Sequence, residues 1–319
     1  MVNSAKAAAW CIGSLVFLSA CTTTLEVNQL RQSMDFTSYQ RTEVKDVPFF
    51  AQQEYQCGPA ALAMLLNWSD VSVTPQQLVP LVYVPERQGS FQVEMVAAVR
   101  YHNRIPYVLD RSLQALINEI EAGHPVLVFQ NLGLDWIPKW HYAVVMGIDL
   151  ANNEIILHSG TTQSYVMSVE TFERTWQRAE KWAMVVMPPA KLPASAEPLA
   201  YTKTIAYFES KGKLELARQA YQAAIERWPS SLLILMGMGN VSYQLQQLPQ
   251  AQLYYRKAIE ISGDYAPAHN NLAQVLMEQH DLTAAAAHAE MAVQLGGEHV
   301  DAYRDTLNQV NRRLRETTN

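Results

Sequence analysis

The stretch that decides the fold of the first half of the chain is QQEYQCGPAALAMLL, residues 52–66. From Pro59 onwards it consists of good helix formers, and Pro59 suits the first turn of a helix, where a missing N–H costs nothing. Cys57 therefore lies at a helix N-terminus, where free N–H groups stabilise a thiolate, and Gly58 leaves room for a substrate backbone. A cysteine needed only for packing more often lies inside the apolar run. The position favours a reactive thiol.

A cysteine nucleophile needs a base, and one histidine has a suitable setting. Residues 140–147, WHYAVVMG, predict a strand that begins beside His141, so that its imidazole can face a cleft while the strand anchors it. His102 and His124 follow helical patterns and are interpreted as structural. His158 ends a predicted strand instead. The sequence therefore predicts that Cys57 and His141 form a catalytic pair.

The pattern around these two motifs predicts an α+β domain with helices first and an antiparallel sheet after them. Thr74, Ser90 and Ser112 each precede a helical pattern and are interpreted as N-caps. This order places the cysteine on a helix and the histidine on a strand, facing each other across a cleft. The strands are predicted near residues 125–130, 140–149, 154–158 and 182–187, with a helix near 169–177.

Together the cysteine block and the histidine strand resemble the papain-like cysteine peptidases that remove double-glycine leaders from bacteriocins, in particular a stand-alone, lipoprotein-like branch. The resemblance covers residues 44–188 and implies a papain-like α+β fold. It implies that Cys57 is the nucleophile and that His141 is the base. It also implies that Gln52 binds the oxyanion, with the adjacent Gln53 as the alternative. No cofactor is implied.

The third residue of the family pattern, an aspartate on the strand after the histidine strand, is missing. His158 and Ser159 occupy its place, and Asp149, eight residues after His141, is a further candidate for orienting the imidazole. The orienting residue mainly sets the tautomer and position of the ring, so the pair keeps the potential for hydrolysis. A non-catalytic binding or assembly lipoprotein is one alternative. A thiol acyltransferase or amidohydrolase is another alternative, because these enzymes and cysteine peptidases use the same thiol chemistry.

A composition shift marks a second domain. Residues 189–198 are a Pro-rich linker, and residues 199–319 repeat small and apolar positions every 34 residues, which is the tetratricopeptide period. Such an all-α stack forms a groove for a peptide or protein partner, and a structural cap or a dimerisation surface is the alternative. The series are Leu214, Leu248 and Leu282; Ala217, Ala251 and Ala285; and Ala224, Ala258 and Ala292. They predict repeats at 199–230, 233–264 and 267–298 and a capping helix at 299–316.

The first residues of the chain are typical of a targeting signal. A basic residue and a short apolar run end in LSAC, residues 18–21, which resembles a bacterial lipobox. Residues 1–20 are then a removable signal, and Cys21 carries the lipid. By resemblance to the usual sorting rule for lipoproteins, Thr22 rather than aspartate at the next position implies the outer membrane, facing the periplasm. Residues 21–43 are predicted to be a polar tether. Cys57 is then the only free thiol, which is unusual in an oxidising compartment.

Composition excludes several classes of function. The 319 residues include 24 basic and 30 acidic ones, a formal charge of −6, and this balance argues against nucleic acid as a partner. The hydrophobic share of 49% argues against disorder. The sequence shows no paired metal ligands and no phosphate-binding glycine loop. We therefore expect no metal and no cofactor.

Overall fold

The computed structural model of the protein describes residues 25–33, 35–52 and 56–318. In these residues an N-terminal α+β domain with an antiparallel sheet is followed by a run of paired helices that fits tetratricopeptide repeats. The predicted fold class is therefore confirmed. No helix in the described ranges is long and apolar enough to cross a membrane.

The sheet of the first domain has the strand order β2-β7-β3-β4-β5-β6, and β1 pairs with the end of β4. The pairs of neighbouring strands are antiparallel. Helices pack on the central strands, while β6 and the start of β4 at Trp140 are exposed. The strands are β1 (Thr42–Glu43), β2 (Ile105–Val108), β3 (Val126–Asn131), β4 (Trp140–Asp149), β5 (Glu154–Ser159), β6 (Thr162–Ser168) and β7 (Ala183–Met187). The helices are α1 (Glu26–Ser33), α2 (Cys57–Trp68), α3 (Pro75–Val82), α4 (Gln92–Tyr101), α5 (Leu113–Glu121) and α6 (Val169–Gln177).

Helix α2 lies in the centre of the domain and packs on β3, β4 and β7. It is apolar all round, and residues 58–66 are buried, as expected of a helix with no solvated face. Its first residue, Cys57, is only half-buried. The helix therefore carries the thiol to the edge of the core, beside the start of β4.

The described part of the predicted tether packs on the domain instead. Val27 of α1 is fully buried, and α1 lies against α6. The Glu26 carboxylate accepts hydrogen bonds from Leu113 N–H at 2.8 Å and from Lys181 Nζ at 2.9 Å. Strand β1 then adds to the sheet. The tether prediction is wrong for residues 25–43 as far as they are described, because a mostly polar sequence still supplies one apolar face and one anchoring carboxylate.

The second domain is a stack of antiparallel helix pairs whose helices approach closely where glycine faces tyrosine. A Cβ on Gly237 would lie 2.2 Å from the Tyr221 ring, and one on Gly239 would lie 2.5 Å from the Tyr255 ring. The close approach therefore requires glycine at both positions. The helices are α7 (Pro198–Ser210), α8 (Leu214–Arg227), α9 (Leu232–Gln244), α10 (Leu248–Ile261), α11 (Ala266–Glu278), α12 (Leu282–Leu295) and α13 (Val300–Thr318).

The segment between the domains, residues 189–198, packs against both of them. Arg227 of α8 donates a hydrogen bond to Ala194 O at 2.8 Å. Glu119 of α5 accepts hydrogen bonds from the backbone N–H groups of Ala194, at 3.1 Å, and Ser195, at 2.7 Å. One hydrophobic core continues from the sheet into the first helices of the stack. The composition of this segment predicts a linker, and the structure shows that side chains from both domains hold it near Ala194.

Candidate active site

The start of α2 and the start of β4 face one cavity of about 1010 Å³. Its walls include Cys57 and Gln52, which are five residues apart, and His141, which is 84 residues further along the chain. Strand pairing brings His141 opposite Gln130 of β3, and α2 packs on the same two strands. The structure therefore brings the predicted nucleophile, base and oxyanion residue to one site.

Burial dominates the electrostatics of the Cys57 thiol. It raises the pKa of Cys57, and the backbone amides of Tyr142 and Gly58 act in the opposite direction without overcoming it. Loss of water disfavours the thiolate more than the N–H groups at the helix end favour it. The expectation of a stabilised thiolate therefore differs from the structure, in which the resting group is a neutral thiol.

His141 is also neutral at physiological pH. Burial lowers the pKa of its imidazole to about 4, and the positive charge of Lys139 acts in the same direction. Its Nε2 lies 2.9 Å from Ser159 Oγ of β5, within hydrogen-bond distance. Since Nε2 is engaged there, Nδ1 is the ring nitrogen that remains for the thiol. A neutral imidazole can take up a proton and act as a general base.

The depressed pKa of His141 predicts a loss of stability in mild acid. In the unfolded chain His141 is protonated below its ordinary pKa of 6.5, whereas in the folded chain it stays neutral until the pH falls to about 4. The free energy of unfolding therefore falls as the pH is lowered through this window, by about 2 to 3 kcal/mol from this group. We expect urea denaturation to show a shallower decline between pH 7 and pH 4.5 for His141→Gln than for the unsubstituted chain. Parallel curves would show that the ring is solvated.

Of the three candidates for orienting the imidazole, Ser159 is the one that contacts it. His158 lies on the other side of β5, where its Nε2 is 3.3 Å from Val47 O and its Nδ1 accepts a hydrogen bond from Ser164 N–H. The alternation of side chains along a strand separates these two neighbours. Asp149 lies at the far end of β4, about 26 Å from His141 along the strand.

Asp149 is engaged in a turn at its own end of the strand. Its carboxylate accepts hydrogen bonds from Asn152 N–H at 3.1 Å and Asn152 Nδ2 at 2.9 Å. These bonds lower the pKa of Asp149 and keep the carboxylate ionised. The residue therefore stabilises the β4–β5 connection.

Gln52 reaches the cavity from the extended segment before α2. Its backbone N–H donates to Gly160 O at 3.0 Å, which ties this segment to the end of β5. Its Nε2 donates to Tyr142 O at 3.2 Å, next to the histidine. One of the two amide hydrogens therefore remains for a ligand. Gln53 and Cys21 lie outside the described residues.

An aromatic wall, made of Phe129, Trp140 and Tyr142, is part of the site that sequence reasoning missed. The Phe129 and Trp140 rings are stacked, with centroids 5.2 Å apart, and the Tyr142 ring centroid lies 4.6 Å from that of Phe129. Two of these aromatic residues flank His141 in the sequence, and this pattern is a signal that could have identified them. Residues 87–92 also line the cavity, and the Tyr142 hydroxyl donates to Ser90 O at 3.2 Å; the sequence gives no signal for this part of the wall.

Ser90 and Gly58 have roles different from those expected. The residue at the N-cap of α4 is Phe91, and the Ser90 hydroxyl is buried without a hydrogen-bond partner in the described structure. A Cβ on Gly58 would lie 2.4 Å from Ser90 Oγ, so glycine here admits Ser90 and not a substrate backbone. In the described ranges no group of three or more His, Cys, Asp and Glu side chains could hold a metal ion.

Comparisons with known proteins agree with this architecture. Residues 44–184 match the sequence model of the Peptidase_C39 like family, and residues 207–267 and 238–300 match a tetratricopeptide repeat model. The chain thus carries a C39-like peptidase domain followed by tetratricopeptide repeats. The first suggests the activity of a cysteine peptidase, and the second suggests interaction with proteins. The finer assignment to the leader-removing, lipoprotein-like branch stays a prediction.

Solved structures resemble each domain separately. A Bacillus anthracis protein described as a C39-like peptidase is 16% identical, with a TM-score of 0.41, over 47% of this chain and 98% of that one. The yeast Sti1 TPR2B domain, in a complex with pHsp70, is 17% identical, with a TM-score of 0.33, over 34% and 91%. The Sgt2 TPR domain from Aspergillus fumigatus is 17% identical, with a TM-score of 0.37, over 38% and 83%. No curated protein matches the chain.

Proposed function

We propose that the protein is a membrane-anchored cysteine peptidase that hydrolyses peptide bonds with Cys57 as nucleophile and His141 as general base. The observation that carries the proposal is the shared cavity, onto which both side chains open while Ser159 holds the imidazole. The site is half-enclosed and aromatic on one side, which suits an extended peptide.

The chemistry follows from two neutral groups. As the Cys57 sulfur attacks a peptide carbonyl, Nδ1 of His141 takes the thiol proton, so no free thiolate has to be stored. The negative charge that develops on the carbonyl oxygen is stabilised by the free amide hydrogen of Gln52 and the backbone N–H of Cys57. His141 then returns the proton to the leaving amine, and water hydrolyses the thioester to release the second product.

Ser159 is proposed as a positioning residue, and it allows a test of the missing aspartate. Ser159→Ala removes one neutral hydrogen bond from His141 and is expected to lower kcat about fivefold, equivalent to about 1 kcal/mol. Ser159→Asp places a carboxylate beside His141 and is expected to raise the pKa of the imidazole. The acid limb of the pH–rate profile should then move to higher pH. An unchanged profile in Ser159→Asp would contradict the contact. A thermal melt checks that both variants fold.

A second candidate function is a binding lipoprotein without catalysis. The raised pKa of Cys57 favours it, and so does the contact of His141 with Ser159, since no carboxylate among the described residues takes that place. Acyl transfer, or hydrolysis of a non-protein amide, is a third, because a thioester can be released by acceptors other than water. These alternatives differ in the products that they form.

Product analysis tests the peptidase against these alternatives. A mixture of unstructured peptides is incubated with the purified protein, with and without hydroxylamine as an acceptor, and the products are identified by mass spectrometry. New fragments with free carboxyl ends would support the peptidase. Hydroxamates formed with hydroxylamine, together with no hydrolysis in its absence, would support a transferase. Intact peptides throughout would contradict the peptidase and favour the binding protein or a hydrolase of non-protein amides.

We further propose that the protein is a lipoprotein of the outer membrane that faces the periplasm, with repeats that recruit a peptide or protein. The lipobox-like residues 18–21 support the anchor. Labelled palmitate should be incorporated in cells and lost in Cys21→Ala, and label in that variant would contradict the assignment. Membrane fractionation and protease accessibility of whole cells test the location.

A further inference from the structure

The loop between β3 and β4 exposes large apolar side chains next to the cavity. We call residues 132–139, LGLDWIPK, the apolar tip. Such a concentration of apolar surface on one loop marks an interaction site, whereas single exposed apolar residues are common. The exposed fractions are 42% for Leu132, 51% for Leu134, 76% for Trp136 and 67% for Ile137.

The backbone of the apolar tip is closed by its own hydrogen bonds. A Cβ on Gly133 would lie 2.3 Å from Ile137 O, so the two arms of the loop are in contact and the tip forms a closed hairpin. Internal bonding is what a segment needs to enter lipid, where an unpaired N–H group costs several kcal/mol. Three backbone bonds join the two sides: Leu132 N–H to Lys139 O at 2.9 Å, Leu134 N–H to Ile137 O at 3.2 Å and Ile137 N–H to Leu134 O at 3.1 Å. In addition, Asn131 Oδ1 accepts hydrogen bonds from Gly133 N–H at 3.0 Å and from Lys139 N–H at 2.9 Å.

The apolar tip is connected to the place where the N-terminus docks. Glu26 at the start of α1 is bonded to Lys181, and the next residue, Trp182, accepts a hydrogen bond from Phe129 N–H at 3.1 Å. Phe129 lies three residues before the tip. Cys21 lies four residues before Leu25, a length of chain that reaches at most about 14 Å. A lipid on Cys21 would therefore hold this side of the domain close to the bilayer.

We propose that the apolar tip inserts into the interface of the bilayer to which the chain is anchored; this rests on the anchor proposed above. Tryptophan prefers the boundary between headgroups and acyl chains, and Ile137 and Leu134 add apolar area beside Trp136. Lys139 at the base of the tip offsets the charge of Asp135, so residues 132–139 carry no net charge and their attraction to the bilayer rests on the apolar side chains. Because Pro138 and Lys139 also line the cavity, insertion places the mouth of the active site at the membrane surface.

The test couples the chain to vesicles chemically, so that it does not depend on lipidation in cells. The chain from residue 21 onwards, carrying Cys57→Ala, is attached through Cys21 to a maleimide lipid in vesicles of phosphatidylethanolamine and phosphatidylglycerol. Tryptophan emission is compared between vesicles with ordinary and with brominated acyl chains. We expect the bromine atoms to quench the emission, and we expect most of this quenching to be lost in Trp136→Phe.

The matched control is Trp228→Phe. Trp228 lies between the domains, beside Tyr201 and under Arg227, and its removal should leave the quenching intact. Quenching that is absent, or that is equal with and without Trp136, would overturn the proposal and indicate a protein partner for the apolar tip. Failure of palmitate labelling at Cys21 would instead contradict the natural anchor, so the two failures are distinguishable.

Discussion

Cys57→Ala is expected to lower the rate of peptide hydrolysis by at least about 10,000-fold, because no other group in the cavity can form the thioester. The Gln52 amide and the cavity walls remain in this variant, so substrate binding should persist while turnover is lost. Steady-state rates on the peptide identified by product analysis measure the effect. The same change removes the only free cysteine of the described residues.

The fold of this variant should be intact. Cys57 is the first residue of α2 and only half-buried, and alanine is a good helix former, so the free energy of unfolding should change by about 1 kcal/mol or less. Cys21→Ala is the matched control in the chain from residue 21, because it removes the other thiol and should keep the full rate. Hydrolysis by Cys57→Ala at an appreciable rate would place the nucleophile elsewhere.

Glu119→Ala is expected to lower the free energy of unfolding by about 3 to 5 kcal/mol, because it removes a buried carboxylate with several partners. Glu119 is fully buried in α5 and accepts hydrogen bonds from Ala194 N–H, Ser195 N–H and Ser195 Oγ, while His124 Nδ1 lies 2.7 Å away. Burial alone would raise the pKa of its carboxyl, but the bonds from His124 and Ser195 hold it below the ordinary value. The substitution leaves these half-buried donors without their shared acceptor.

The loss should be accompanied by a loosening between the domains. Since the Glu119 carboxylate holds residues 194–195, limited proteolysis should cut this segment faster in Glu119→Ala. Urea denaturation measures the stability, and Glu121→Gln on the same helix is the control. Glu121 is exposed and accepts one hydrogen bond, from Tyr39 OH, so this change should cost about 1 kcal/mol or less. Equal effects of the two variants would show that the buried carboxylate does not hold the linker.

The elements with strong local signals are those that could be predicted from the sequence. Thr74 and Ser112 are caps in the structure, with the full capping box at Thr74. The strand at residues 140–149 and the helix at 169–177 were predicted with the bounds that the structure has. Each of these patterns predicts the conformation of the few residues that form it, so the prediction does not depend on tertiary contacts.

Other elements have no local signal. β2 is four residues long and contains a proline, β6 is exposed along most of its length, and β1 has two residues. Each of them becomes a strand because it pairs with a neighbour already in the sheet, and a single chain segment does not show that pairing. The segment after Cys21 is mostly polar, so its sequence does not predict that it packs on the domain. Helix α1 nevertheless docks there through Glu26.

Residue type and spacing are enough to predict the two classes of domain, the 34-residue stack, and Cys57 and His141 as the candidate catalytic pair. The contact of the imidazole with Ser159, and with neither His158 nor Asp149, emerges only in the folded chain, since strand register and side-chain alternation set which neighbour faces it. The neutral resting state of the thiol and the imidazole is likewise a property of the fold. Burial depends on everything packed around a group, and here it outweighs the helix end that the sequence reveals.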